Sequence, residues 1–141
     1  MKYTAQRADA HTQDHAGYAS HLEERIAFAL ERDGKEIHYE TTTVQFKTNG
    51  QAAAPYPADF NVVEHGFLLE CKGLLTLANI IRYAQILNQT GVDLRFVITS
   101  PKALIEGTTI TNEDWLNKMG VKWATNRIPK TWYGEDDDTN N

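Results

Sequence analysis

Two carboxylates and one ammonium group carry the chemistry this sequence offers: Asp59, and Glu70 and Lys72 in the run Phe67-Leu68-Leu69-Glu70-Cys71-Lys72. Glu70 and Lys72 are two residues apart, so on a strand they leave from one face while Cys71 leaves from the other. A two-residue turn at His65-Gly66 would pair Glu64 with Phe67, set Asp59 opposite Lys72, and bring all three side chains to that face. Hard carboxylate oxygens suit magnesium, which keeps several waters and takes a few carboxylates together with substrate phosphate. An ammonium beside such a centre can orient an attacking water and balance charge in the transition state, as phosphodiester hydrolysis requires.

Each residue also has a plainer reading. Glu70 and Lys72 could form a solvated ion pair worth at most about 1 kcal/mol, and Asp59 could be a loop-end aspartate after Pro57. The flanks Phe67-Leu68-Leu69 and Gly73-Leu74-Leu75 weigh against the ion pair, because they predict a buried strand in which an unneeded charge is costly. Glu23 completes a capping box, Ser20-His21-Leu22-Glu23, and needs no other explanation. Cys71 reads as a small buried hydrophobe. His11, His15, His21, His38 and His65 stand at no metal-ligand spacing, and Trp115, Trp123 and Trp132 read as packing rather than base-stacking platforms.

The elements that must position these residues follow from periodicity. Leu22, Ile26, Ala29 and Leu30 predict a helix over about 20–33, ended by Gly34. A β-rich run, 37–46, predicts a strand, and 47–58, with Gly50, Pro55 and Pro57, a loop. Residues 59–63 and 67–72 form a hairpin around Glu64-His65-Gly66. A helix from Leu77 to about Gln89 ends at Gly91; a strand spans Val92–Thr99; a helix capped by Thr111 covers Asn112–Met119; Val121–Ala124 is a last strand.

Bulk properties bound the rest. At 141 residues, with 41% hydrophobic and 23% charged, the chain is one globular domain. No apolar run is long enough to span a membrane, and residues 1–16, read as a loose arm, lack a signal-peptide core, so a cytoplasmic location is expected. Cys71 is the only cysteine, which excludes an intrachain disulfide and a thiolate zinc cluster. A net charge of −5 weighs against a nucleic-acid partner; however, Glu135, Asp136, Asp137 and Asp138 in the tail, 134–141, supply four negative charges, leaving the remainder at −1. Lys102, Lys118, Lys122, Arg127 and Lys130 crowd the last third of the body, either as a solvated surface or as a positive face.

Asp59 followed by Glu70-x-Lys72 in a hydrophobic strand resembles the PD-(D/E)XK nuclease signature, with Ala58 in place of its proline. The blocks Ser20-His21-Leu22-Glu23-Glu24, Tyr56-Pro57-Ala58-Asp59-Phe60 and Leu69-Glu70-Cys71-Lys72-Gly73-Leu74, then Asp93-Leu94-Arg95-Phe96-Val97, Glu113–Trp123 and Ile128-Pro129, are similar in order to the phage endonuclease I family over about 17–133. The resemblance implies an α/β fold with a mixed sheet flanked by helices, and Holliday-junction resolution on branched or four-way-junction DNA. It also implies a segment-exchanged homodimer, crossing within 47–58, with two Mg2+ per active site and Mn2+ as a substitute. By motif, Asp59 would bridge the metals, Glu70 and the Cys71 backbone carbonyl would hold one, Glu23 from the partner's first helix would serve the second, and Lys72 would act on water. A nuclease for linear or damaged duplex, and an inactive binding module on the same fold, are the other readings.

Overall fold

The computed structural model describes residues 17–136; the expected arm, 1–16, and residues 137–141 of the expected tail lie outside the described residues. In chain order the elements are α1 (His21–Arg32), β1 (Ile37–Tyr39), β2 (Thr43–Val44), β3 (Lys47–Thr48), β4 (Gln51–Ala52), β5 (Tyr56–Pro57), β6 (Phe60–Val62), β7 (Phe67–Lys72), α2 (Leu77–Thr90), β8 (Leu94–Ile98), α3 (Asn112–Met119) and β9 (Trp123–Thr125). The protein is α/β with a mixed central sheet in the order β1-β6-β7-β8-β9: β1, β6 and β7 run antiparallel, β7, β8 and β9 parallel.

Strand β7 joins the two halves, and its alternation sends two sets of side chains into two cores. Phe67, Leu69 and Cys71 meet Leu22, Ile26 and Leu30 of α1, together with Ile37, Tyr39, Phe60 and Tyr133. Leu68 meets Ile80, Tyr83 and Ile86 of α2, Trp115 and Leu116 of α3, and Phe96 of β8. Covered on both faces, β8 has all five residues buried, Arg95 included. Arg95 makes a bidentate bond to Asp93 there, at 3.0 and 2.8 Å, with its guanidinium 4.2 Å from the centre of the Phe67 ring.

The helices match expectation. Ser20 caps α1, Thr111 caps α3, and Gly91 and Gly120 end α2 and α3 in left-handed conformations. Three other expectations are corrected. The single strand over 37–46 is broken at Glu40, whose φ of 56° takes the chain out of the sheet. The loop over 47–58 holds a hairpin, β3-β4, turning on Asn49-Gly50 with both φ positive, and β5, which pairs with β2. This ribbon is clamped to α2 by Gln89, which accepts from the Lys47 amide and donates to its carbonyl at 2.6 and 2.7 Å.

The third correction is the register. Val63–His65 is a turn of 3-10 helix closed by Gly66 at φ 70°, so Val62 pairs with Phe67 and Phe60 with Leu69. Continued one step, Asp59 faces Glu70 rather than Lys72. A shift of two residues preserves the face of every side chain, whereas a shift of one would have sent Asp59 to the other core.

Beyond β7 and β8 the chain is tied by Asn112, which is fully buried; it donates to the Ser100 carbonyl at 2.8 Å and accepts from the Leu75 amide at 3.4 Å. Asn112→Ala leaves the buried Leu75 amide without its partner, while the Ser100 carbonyl keeps the Ala103 amide at 3.2 Å, and is expected to cost about 1–3 kcal/mol. The check is a lowered urea midpoint with an unchanged slope; a midpoint within error of the parent contradicts it.

Candidate active site

Asp59 is the hub of the site. It precedes β6 and is 9% exposed; its Oδ2 accepts the Cys71 amide at 2.8 Å and its carbonyl accepts the Glu40 amide at 2.9 Å. On one side stand Glu23 and Glu40: one carboxylate oxygen from each, with one from Asp59, lie within 4.8 Å of one another. On the other side stands Glu70, 4% exposed.

Glu70 is held by neutral donors. Tyr56, brought by β5, donates to Oε1, and Tyr83, from α2, donates to Oε2 at 2.8 Å. The two rings meet edge to face at 5.9 Å and continue through Phe96 to Trp115, so their positions are set by core packing. The solvated Glu70–Lys72 ion pair is therefore not what forms. Lys72 is half-buried, and its charge acts on Glu23, Asp59 and Glu70 without pairing closely with one of them.

Glu23 departs from the capping box in an informative way. Ser20 Oγ accepts the Glu23 amide at 3.1 Å, but the Glu23 carboxylate turns instead to the Tyr39 hydroxyl, 2.6 Å away. Glu23 is 6% exposed, and its carboxylate lies near those of Asp59 and Glu40 of the same chain.

Gathering these groups is electrostatically costly. Burial, foremost, and then the charges of Glu70 and Glu23 push the Asp59 carboxyl well above the usual carboxylate range; the Cys71 amide and Lys72 oppose this. Burial also raises Glu70 against its tyrosine bonds, and Glu23 against its bond from Tyr39. Burial raises the Cys71 thiol as well, which supports its reading as an inert hydrophobe.

The donor set fits a divalent cation: hard oxygens in surplus over cations, in a partly dry site, each oxygen keeping a free lone pair beyond its hydrogen bond. Sequence reasoning found Asp59, Glu70, Lys72 and Glu23, and the structure brings all four together. It missed Glu40, Tyr39, Tyr56 and Tyr83. Glu40 had no signal, since its position in a β-prone run gives no hint of a left-handed residue. Tyr56 lay in view, three residues before Asp59. For Cys71 the structure shows an amide given to Asp59.

A lysine among carboxylates at one edge of a mixed α/β sheet is an arrangement suited to phosphodiester chemistry. A family model described as phage endonuclease I matches residues 3–140, and the chain belongs to that family. It is 28% identical over 120 residues, 84% of this chain and 79% of the relative, to Endonuclease I of Escherichia phage T7. No helix among the described residues is long and apolar enough to cross a membrane.

The raised carboxyl of Asp59 fixes a sign. The folded state holds its proton more tightly than the unfolded one, so stability falls as pH rises above the ordinary carboxylate range, near 4, toward the folded value. Without divalent cations, Asp59→Asn is expected to raise the melting temperature at pH 7–8 and flatten its decline with pH. A melting temperature lowered equally at every pH would instead make Asp59 purely structural.

Proposed function

We propose that the protein is a divalent-metal-dependent DNA endonuclease of the PD-(D/E)XK kind that cuts branched DNA, four-way junctions above all. The observation that carries this reading is the shared position of Asp59, with Glu23 and Glu40 on one side, Glu70 on the other, and Lys72 acting on the group, in a chain of the phage endonuclease I family. Two Mg2+ ions, for which Mn2+ would substitute, match the two acidic groupings that meet at Asp59. Bound there, the ions would lower the pKa of water and offset charge on the phosphate oxygens.

The chain's own groups do the rest. Tyr56 and Tyr83 fix the Glu70 carboxylate, the Cys71 amide fixes Asp59, and Tyr39 fixes Glu23, so the oxygens are placed before substrate arrives. Lys72 orients the attacking water and offsets charge that grows as the water oxygen bonds to phosphorus and the opposite P–O bond breaks. Selectivity for junctions would come from the placement of phosphates, without reading base edges.

Opposing cuts need two centres, and a homodimer supplies them. Leu74, just before α2, and Leu77 and Ile81 on it are exposed at 56, 44 and 52%, an apolar surface that a second copy would cover. The ribbon 43–57 stands outside the central sheet and is bound to α2 through Gln85 and Gln89, so a partner's α2 would offer it the same bonds. Ile81→Glu is expected to shift the protein toward monomer in sedimentation velocity; an unchanged dimer would place the interface elsewhere.

The decisive assay incubates the protein with Mg2+ on a four-way junction and a linear duplex of matched sequence. The expectation is preferential cutting of the junction, lost on chelation and reduced at least 100-fold in Glu70→Gln and Lys72→Met, with junction binding retained. Equal cutting of both substrates favours the linear-duplex reading, and binding without cutting favours an inactive module. Cutting that survives Glu70→Gln removes the proposed centre.

A further inference from the structure

Of the donors that hold the centre, Tyr56 alone comes from outside the central sheet and its helices. Where its ribbon meets α2, a cavity of about 290 Å3 remains, walled in part by Ala53, Ala54 and Ala78, so the join is incompletely packed there. Three side chains of α2 span the join. Arg82, Gln85 and Gln89 follow one another at i, i+3 and i+7, along one face of the helix. Gln89 takes both backbone groups of Lys47, Gln85 accepts from the Thr48 hydroxyl at 3.2 Å, and Arg82 lies over two rings.

The Arg82 guanidinium is 5.0 Å from the centre of the Tyr56 ring and 6.0 Å from that of Phe46, within the range at which ring faces attract a cation. It has no hydrogen bond or ion pair among the described residues, so these rings set its position. Phe46 and Tyr56 are buried and Arg82 is half-buried. A long stem laid over two aromatic residues would account for burial alone, and a methionine would serve that end as well. The charge is what such packing leaves over. It is placed one ring behind the Glu70 carboxylate, and next in sequence to Tyr83, the second donor to Glu70. Burial and then Glu70 push the Tyr83 hydroxyl to hold its proton, and Arg82 opposes them, so its field reaches the site.

A cation over a phenol draws electron density from the ring and its oxygen, which strengthens the O–H as a donor. Arg82 therefore favours the bond from Tyr56 to Glu70 Oε1 both by fixing the ring and by polarising the hydroxyl. Because the guanidinium itself does not bond to Glu70, both carboxylate oxygens keep lone pairs for a cation. We propose that Arg82 is a positioning residue that acts through Tyr56: it holds the Tyr56 hydroxyl on Glu70, and so fixes that carboxylate for metal binding and DNA cleavage. The metal and DNA half of this inference rests on the nuclease reading; the hydrogen-bond half does not.

For the hydrogen-bond half, the full chain is labelled with carbon-13 at the tyrosine ring carbon that bears the oxygen, whose NMR resonance follows the hydrogen bonding of the hydroxyl. Tyr56→Phe assigns the Tyr56 signal. Without metal, Arg82→Met is expected to move this signal toward that of a solvent-exposed tyrosine, and Arg82→Lys, which retains the charge, to move it less. A signal unmoved in Arg82→Met, or moved as far in Arg82→Lys, overturns the role given to the charge.

For the other half, Mn2+ binding is measured by calorimetry, beside the steady-state kinetics of junction cleavage. Arg82→Met is expected to weaken one Mn2+ site about 10-fold and to lower kcat by a similar factor, with the KM for DNA within about twofold of the parent's. In a Tyr56→Phe background the same change is expected to do nothing further. A raised KM with an unchanged kcat would make Arg82 a contact to DNA, and a lowered urea midpoint with unchanged Mn2+ affinity would make it structural; either overturns the role. A loss of Mn2+ affinity just as large in the Tyr56→Phe background overturns it too. A parent that binds Mn2+ but cuts no DNA defeats the nuclease reading, while calorimetry still decides Arg82. A parent that does neither leaves the tyrosine resonance to decide it.

Discussion

Like charges held together out of water are the constraint on which this structure turns. Asp59, Glu23 and Glu70 are each less than one-tenth exposed, and each is driven by burial to resist ionisation. What offsets the cost is a set of neutral donors: Tyr39 on Glu23, Tyr56 and Tyr83 on Glu70, and the Cys71 amide on Asp59. Arginines in those places would have satisfied the same oxygens and cancelled the negative field. Hydroxyls and an amide orient the oxygens while leaving the centre anionic, which is the condition for attracting a cation.

That choice of donors explains much of the surrounding fold. Tyrosines can serve the site only if their rings have somewhere to go, and the two cores provide it: Tyr39 packs with Tyr18 and Phe60 under α1, while Tyr56 and Tyr83 pack with Phe96 and Trp115 beneath α2 and α3. Strand β7 joins the halves, since its antiparallel neighbour leads back to Asp59 and its parallel neighbour leaves Lys72 beside the carboxyl end of β8. Ligand sites at the carboxyl ends of parallel strands are a general consequence of such sheets. Asn112 then ties the two chain segments that leave this edge.

Particular residues show how far the sequence could be read. The apolar flanks of Glu70 announced a buried strand, and the i, i+2 spacing put Glu70 and Lys72 on one face; both hold. The register came out two residues away because Val63–His65 coils into a 3-10 turn instead of a two-residue hairpin. Asn49-Gly50 was a legible hairpin signal inside what reads as a proline-containing loop, and the ribbon it builds delivers Tyr56. Glu23 looked complete as a cap residue because a capping box is a local explanation, and a tyrosine sixteen positions away was a better partner for its carboxylate.

By itself the sequence determined the chemistry and its side: hard oxygens and an ammonium, confined by period-two alternation to one face of a buried strand. Those are relations between near neighbours along the chain, and near-neighbour geometry is set by backbone sterics. Only the tertiary structure decided which carboxylates meet. Glu40 enters because a left-handed residue swings the chain out of the sheet beside Asp59, and Glu23 enters because α1 packs across the sheet with Tyr39 between them. Neither follows from spacing, because the free energy of burying two cores, rather than any local preference, chooses which distant faces come together.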